Sequence, residues 1–186
     1  MTPSQKAYQI TQLIKINMRK LLLLFALITV PLVWAQTQRG NFVLETAVLS
    51  NATTPNTGLG YTSSEEGVKT FNVGLNGGYF VATNLAVKAG VGYGNVRMNE
   101  ETISESWSFR SGLEYNILGY LPIEVAWTGS MTPNTEINPS YLSSQIGYNW
   151  YFDNNFAMKP LVRYDRSLNE YYKDNLMFGV GFNYYF

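Results

Sequence analysis

Seven charged residues stand at alternate positions within apolar runs of the chain: Glu45, Lys88, Arg110, Glu114, Glu124, Lys159 and Arg163. Side chains alternate between the two faces of a β-strand, so a period of two predicts that these charges share one face. If that face is enclosed, the acids and bases must pair, because an unpaired buried ion is very costly. The chemistry available to such a set is ion pairing, either as a path for ions or as a plug.

The chain contains no His and no Cys. The commonest general base and metal ligand is therefore missing, and so is any thiolate. A Ser–Lys or carboxylate-only mechanism is the alternative, but no strand-end serine stands beside an inward lysine in a recognisable motif. The Gly90–Gly94 run lies within a predicted strand that no helix follows, which argues against a dinucleotide loop. We expect no catalytic residue, no cofactor and no metal, and hence no enzyme.

Heights within the strands refine the charge hypothesis. Glu45, Lys88, Glu124 and Lys159 each fall about three residues from the same strand end, if the stagger of neighbouring strands is ignored. This predicts one layer of two acids and two bases, with Arg110 and Arg163 above it, Asp165 near the rim, and Glu114 below it. The arrangement favours a plug that braces the interior over an ion path.

The elements that carry these residues are eight alternating runs: 40–49, 69–81, 85–95, 103–115, 120–130, 141–152, 156–165 and 175–186. Polar connections over 50–68, 96–102, 131–140 and 166–174 alternate with tight turns at 82–84, 116–119 and 153–155. An even number of strands with long loops at one end and short turns at the other is typical of outer-membrane β-barrels, with both termini at the short-turn end.

Period two alone does not say which face points outward, since a soluble barrel would have its apolar face inside. Aromatic residues eight positions apart on the apolar face favour the membrane: Phe71 and Tyr79, Trp107 and Tyr115, Phe156 and Tyr164, Phe178 and Phe186. Eight residues span ~27 Å, or ~21 Å along the normal of a tilted strand, near the ~25 Å band that aromatic girdles flank. A glycine-rich polar face suits a narrow lumen.

Both ends of the chain carry targeting patterns. Residues 1–35 are predicted to be a signal-peptide region whose true start is Met18: Met18 to Ala35 is typical of a secretory signal, with Arg19 and Lys20 before an apolar run and a cleavage site after Ala35. Cleavage there would leave a 36–186 barrel domain with nine basic and 13 acidic residues, a net charge of −4 that gives no basic patch for nucleic acid. The last strand alternates Phe178, Val180, Phe182, Tyr184 and Phe186 and ends on an aromatic residue.

Two segments carry a family resemblance. Gly78–Val87, GYFVATNLAV, resembles the strand–turn–strand of the small bacterial outer-membrane β-barrel family that includes OmpX, OmpW and the OmpA membrane domain. The terminal strand resembles the signal by which the barrel assembly machinery recognises its substrates. The resemblance implies an all-β, eight-stranded antiparallel up-and-down transmembrane barrel in a bacterial outer membrane, with periplasmic termini.

These observations predict a non-enzymatic outer-membrane barrel with a charge-plugged lumen, serving envelope structure or surface binding through its loops. The alternative is a narrow, OmpW-like pore or transporter for small or apolar solutes. The expected partners are membrane lipid and lipopolysaccharide, the assembly machinery, and an extracellular ligand at the loops. The loops carry an acidic rim, which could reach lipopolysaccharide through divalent cations: Glu65, Glu66, Glu100, Glu101, Glu136, Glu170 and Asp174.

Overall fold

The computed structural model describes residues 36–50, 55–64, 67–99, 101–133 and 135–186. The secretory signal predicted over 18–35 lies outside the described residues. The described residues form ten strands: β1 (Phe42–Leu49), β2 (Gly60–Ser63), β3 (Val68–Ala82), β4 (Leu85–Met98), β5 (Glu101–Ile117), β6 (Leu121–Met131), β7 (Ser140–Gly147), β8 (Trp150–Tyr151), β9 (Phe156–Ser167) and β10 (Asn175–Tyr185).

The strands form one closed antiparallel sheet. Its order is β1-β10-β9-β7-β6-β5-β4-β3, and β1 also pairs with β3 to close the circuit. The short β8 prolongs β7 against β9, and β2 is an additional strand on β3. The predicted eight-stranded up-and-down barrel is thereby confirmed. Because β1 and β10 are the first and last of the described strands, the pairing of Val43 with Tyr185 holds the two ends of the barrel domain side by side.

The predicted strand at 141–152 is interrupted at residues 148–149, between β7 and β8. Tyr148 stands opposite Pro160 of β9 and donates its N–H to the proline carbonyl at 3.0 Å. Proline has no N–H to return that bond, so the ladder lapses at this point. The Asn149 N–H points to the opposite side and donates to the Tyr120 carbonyl at 2.7 Å, in register with the pairing of β6 and β7.

The predicted loop at 96–102 is wrong. Strand β4 continues to Met98 and β5 begins at Glu101, so the connection is a tight hairpin with Asn99 in the left-handed region at φ 49°. The polar residues that indicated a loop lie at the ends of β4 and β5, where β3 still pairs with β4 as far as Val68 opposite Met98. Polar composition marks solvent exposure, and strand pairing continues where hydrogen bonds between the two strands are available.

The wall is inside-out relative to a soluble barrel. In β6 the burial alternates strictly, with Leu121, Ile123, Val125 and Trp127 exposed and Pro122, Glu124, Ala126 and Thr128 buried. The pattern recurs around the barrel, where Phe71, Trp107, Tyr115 and Phe178 are each at least half exposed. Rings stack along the short-turn end, as in Phe156 against Phe182 with centroids 6.3 Å apart. The apolar face predicted for lipid therefore points outward.

No helix among the described residues is long and apolar enough to cross a membrane.

Candidate functional site

Two lysines and three glutamates from five different strands meet inside the barrel. Lys88 Nζ donates to Glu45 Oε2 at 2.7 Å, Glu114 Oε2 at 2.9 Å and Glu124 Oε2 at 3.0 Å. Lys159 Nζ donates to Glu45 Oε2 and, at 3.2 Å, to Glu114 Oε2. Each of these side chains is at most 4% exposed. The inward position follows from alternation, because all of these residues except Glu45, which precedes Thr46, lie between outward apolar neighbours on their strands.

Arg110 completes the charge balance of this cluster. Its Nε donates to Glu124 Oε1 at 2.8 Å, and one terminal nitrogen donates to Thr128 Oγ1 at 2.9 Å. Three carboxylates therefore face three cations, so the cluster is formally neutral. Neutrality matters here because a net charge in a narrow, water-poor lumen would carry a large desolvation cost. We call Glu45, Lys88, Arg110, Glu114, Glu124 and Lys159 the lumen cluster.

A separate ion pair lies toward the long-loop end. Arg163 forms a bidentate ion pair with Asp165, in which Nε donates to Oδ1 at 2.7 Å and Nη2 donates to Oδ2 at 2.8 Å. The same Nη2 also reaches Ser143 Oγ at 3.3 Å. The fork of an arginine suits such a bidentate carboxylate contact. Arg163 and Asp165 thus balance each other, and the lumen cluster does not depend on them for neutrality.

The structure places Glu114 differently from the sequence-based expectation. We expected it below the charged layer, but it contacts both lysines within that layer. The cause is the stagger of the barrel strands, which counting from strand ends ignores. In the register of β5 and β6, Glu114 stands directly opposite Glu124. Two facing carboxylates repel each other, so this position requires the lysine that both of them share.

The short-turn end of the lumen is closed by rings and amides that we did not single out from the sequence. Phe80 and Tyr185 are buried with ring centroids 6.4 Å apart, and Tyr151 packs on Tyr185 at 5.7 Å. An amide chain lies beside them: Asn183 donates to Asn149 Oδ1 at 3.2 Å, and Asn149 donates to Asn116 Oδ1 at 2.9 Å. Period two places these residues on the inward face, but does not say that they touch.

The long-loop end is filled by part of loop one. We expected residues 50–68 to form a polar surface loop, but Asn56 and Thr57 are each 1% exposed. The Asn56 N–H donates to Ser108 Oγ at 3.0 Å. Thr57 Oγ1 donates to Asn76 Oδ1 at 2.7 Å, and Asn76 Nδ2 returns a bond to the Thr57 carbonyl at 3.1 Å. We call Asn56–Gly58 the loop-one insert.

Glycines on the wall make room for this insert. A Cβ on Gly92 would stand 2.2 Å from the Asn56 carbonyl oxygen, and a Cβ on Gly74 would stand 2.5 Å from the Thr57 carbonyl carbon. A Cβ on Gly58 itself would meet the Ala47 carbonyl oxygen at 2.2 Å. Only glycine permits such close backbone approach. The signal for the insert was therefore present as glycines on inward strand positions.

The residue that follows the insert, Leu59, bridges a gap in the wall. Strands β1 and β3 pair only over four positions, from Phe42 opposite Tyr79 to Glu45 opposite Asn76. Above that point Leu59 lies between them, donating its N–H to the Ala47 carbonyl at 2.6 Å, and β2 continues the sheet on β3. An apolar recess of about 540 Å³ opens outward beside this seam, lined by Leu59, Val73, Leu75 and Trp107 among others.

The described ranges hold no group of three acidic residues placed to bind a metal ion. Geometry and chemistry together define a class: a small barrel with lipid-compatible walls and a lumen filled by paired charges, amides and its own loop. Side chains and backbone of the described residues occupy the interior of the barrel at three successive heights.

No family model and no curated protein matches the chain. Among solved structures it is similar to the N-terminal β-barrel domain of Pseudomonas aeruginosa OprF, with 14% identity, TM-score 0.47, and 80% of this chain and 98% of that chain covered. It is also similar to the Yersinia pestis outer membrane protein Ail (13%, TM-score 0.48, 80% and 100% covered) and to the outer membrane protein OprG of P. aeruginosa (10%, 0.47, 82% and 98%).

Proposed function

We propose that this chain is a non-enzymatic integral barrel of the bacterial outer membrane, closed along its axis, that contributes to envelope structure and presents its loops for surface binding. The observation that carries the proposal is the neutral lumen cluster, whose six charged groups are buried and mutually paired across the barrel. A conducting pore needs a continuous hydrated path. Here lysine and glutamate side chains from opposite walls meet at hydrogen-bond distance.

Placement in the outer membrane is supported by the outward apolar wall and its rings. Closed barrels satisfy every backbone group within the sheet, which is what hydrocarbon demands. The short turns at 83–84, 118–120 and 152–155 lie at the end that also holds Phe42 and Tyr185. Short turns face the periplasm in such barrels, so both ends of the barrel domain are assigned to that side.

The terminal strand supports a role in assembly. Phe178, Phe182 and Tyr184 are exposed on the outward face of β10, Phe186 is exposed directly after it, and Val180 is half-buried. The Phe186 N–H donates to the Phe42 carbonyl at 2.9 Å, so the last residue helps close the barrel. We assign Phe178, Val180, Phe182, Tyr184 and Phe186 as the signal read by the assembly machinery, because this strand must be recognised before closure completes the circuit.

The test is conductance of the purified, refolded protein in planar bilayers. Wild type is expected to show no large, steady current, since the cluster, the rings and the loop-one insert all occupy the lumen. A stable, ion-selective conductance that Lys88→Met and Gly92→Val leave unchanged would contradict the proposal. Fractionation of cells into soluble, inner-membrane and outer-membrane material tests the location independently.

The recess beside the β1–β3 seam favours a second candidate, handling of small apolar solutes. It is lined almost wholly by apolar surface and opens toward lipid. It lies next to the seam where Leu59 separates β1 from β3. Under this hypothesis an apolar solute enters from the side and not along the axis. Uptake of a hydrophobic dye into vesicles that carry the protein, with Leu59→Asp as the blocking variant, distinguishes the two functions.

A further inference from the structure

A cavity lies on the outer wall at the long-loop end of strands β2 to β5. Its volume is about 460 Å³, and its lining includes Lys69, Arg97, Tyr61, Phe71 and Tyr93. It is distinct from the lumen, because Lys69 and Phe71 stand on the exposed face of β3, whose inward neighbour Asn72 is fully buried. Anything that occupies this cavity approaches from the membrane side of the wall.

Cross-strand pairing orders the lining into rows of rising height. The lowest row pairs Tyr93 with Trp107, whose ring centroids are 5.5 Å apart. The next row joins Tyr61, Phe71, Asn95 and Glu105, and the highest joins Lys69, Arg97 and Thr102. Aromatic rows mark the edge of the apolar band in membrane barrels. The two cations therefore lie just beyond that edge, at the level of lipid headgroups.

The two cations are placed to hold one anion. Lys69 and Arg97 are directly opposite each other on β3 and β4, and the Cβ atoms of such pairs are only ~5 Å apart. Asn95 Oδ1 accepts a bond from Arg97 Nε at 3.1 Å, which leaves the terminal guanidinium nitrogens for an outside partner. Neither cation forms an ion pair with any residue that the structure describes. Adjacent like charges repel, so an anion between them would relieve a cost that the free protein carries.

We propose that Lys69 and Arg97 bind a phosphate group of an outer-leaflet glycolipid, whose sugar lies over the ring-lined cavity below. The inference rests on the proposed outer-membrane location. Arginine and lysine are the side chains that recognise phosphate, the first by a planar fork and the second as a point charge. Tyr61, Phe71 and Tyr93 supply flat apolar surface, and Glu105 and Thr102 supply oxygens that sugar hydroxyls can bond. This contact is direct, and differs from a cation bridge to an acidic rim.

The test measures binding of bisphosphorylated lipid A to the detergent-solubilised protein by native mass spectrometry. We expect Lys69→Gln/Arg97→Gln to weaken binding about tenfold or more, and added salt to weaken wild-type binding, since exposed charges are screened. Lipid A stripped of phosphate should bind wild type and the double variant alike. The matched control is Arg166→Gln, because Arg166 is also exposed on the outward face but stands opposite the apolar Leu142, whereas Arg97 stands opposite Lys69.

Three results would overturn the proposal. Equal binding of lipid A by wild type and the double variant would show that Lys69 and Arg97 do not form the site. An equal loss of binding with Arg166→Gln would show that the effect comes from overall charge and not from this pair. Complete displacement of lipid A by millimolar inorganic phosphate would indicate a site for free anions and not for lipid. The measurement uses protein in micelles, so its outcome is separate from that of cell fractionation and of bilayer conductance, which test the proposed function.

Discussion

Removing a single charge from the lumen cluster should destabilise the barrel strongly. Lys88→Met takes away the one group that contacts all three carboxylates, Glu45, Glu114 and Glu124, at 2.7 to 3.0 Å. The remaining cluster then carries three acids and two bases, in surroundings where each side chain is at most 4% exposed. Losing one partner of a buried pair typically costs ~3–5 kcal/mol, because the other charge is left uncompensated.

The contact pattern identifies which second substitution should restore stability. Removing the Glu114 charge as well, in Lys88→Met/Glu114→Gln, leaves Glu45 with Lys159 and Glu124 with Arg110, so every remaining charge keeps a partner. The amide oxygen introduced by Glu114→Gln can still accept the bond that Asn116 donates to Glu114 at 3.1 Å. We expect this double variant to lie within about 1–2 kcal/mol of wild type. It should be more stable than either single variant. That order would correspond to a large coupling energy between the two neighbouring groups.

A matched double variant separates pairing from net charge. Lys88→Met/Glu124→Gln is equally neutral, but it takes from Arg110 its only carboxylate within the cluster. We expect it to remain about as unstable as Lys88→Met alone. Urea unfolding in micelles, followed by the fluorescence of Trp107, Trp127 and Trp150, measures all variants, with exposed Lys173→Met as control. Equal stability of the two double variants would refute the pairwise reasoning and leave only net charge as the cause.

Three further predictions concern the wall and the loops. Gly92→Val should expel the loop-one insert, since its Cβ would stand 2.2 Å from the Asn56 carbonyl oxygen, and protease cleavage within 51–58 should then rise while cleavage elsewhere does not. Deleting Phe186, which is exposed on the outer wall, should cost a finished barrel little buried area, yet reduce outer-membrane insertion in cells severely; normal insertion would leave the assembly signal without support. Hydrogen bonds from Tyr164 and the Ser167 N–H lower the pKa of Asp174. These bonds should hold loop four fully above the ordinary aspartate pKa of about 3.9 and be lost as pH falls through the lowered value. The loss should appear as pepsin cleavage within 168–173, which Asp174→Asn should show at every pH at which pepsin is active.

The strands and their faces were predictable because apolar and polar residues alternate along a strand that has one apolar face. Lys88, for example, stands between outward Val87 and Ala89, and alternation alone puts it inside. The height of each charge was less accessible. Glu114 joined the wrong layer in our prediction because the stagger between β5 and β6 is fixed by closure of the whole sheet, which no single strand encodes.

The loop-one insert was missed for a different reason. Asn56 and Thr57 are polar, and polar residues suit a solvated loop as well as a hydrogen-bonded position inside a polar lumen. The information lay in the partner strands, where Gly74 and Gly92 occupy inward positions that a side chain would otherwise fill. Glycine within a strand indicates that another backbone comes close, so an inward glycine column should be read together with the nearest long loop.

The polar lumen is a consequence of the apolar outer wall. Turning the apolar face outward toward lipid commits the barrel to a polar interior, and eight strands leave that interior too narrow for bulk water. The polar groups must then satisfy one another. Charges do so as a neutral cluster in the middle, amides and rings do so at the short-turn end, and the loop-one insert does so with Asn76 and Ser108 at the other. Each layer depends on the others to exclude water from it. A single unpaired charge should therefore lower the stability of the whole barrel.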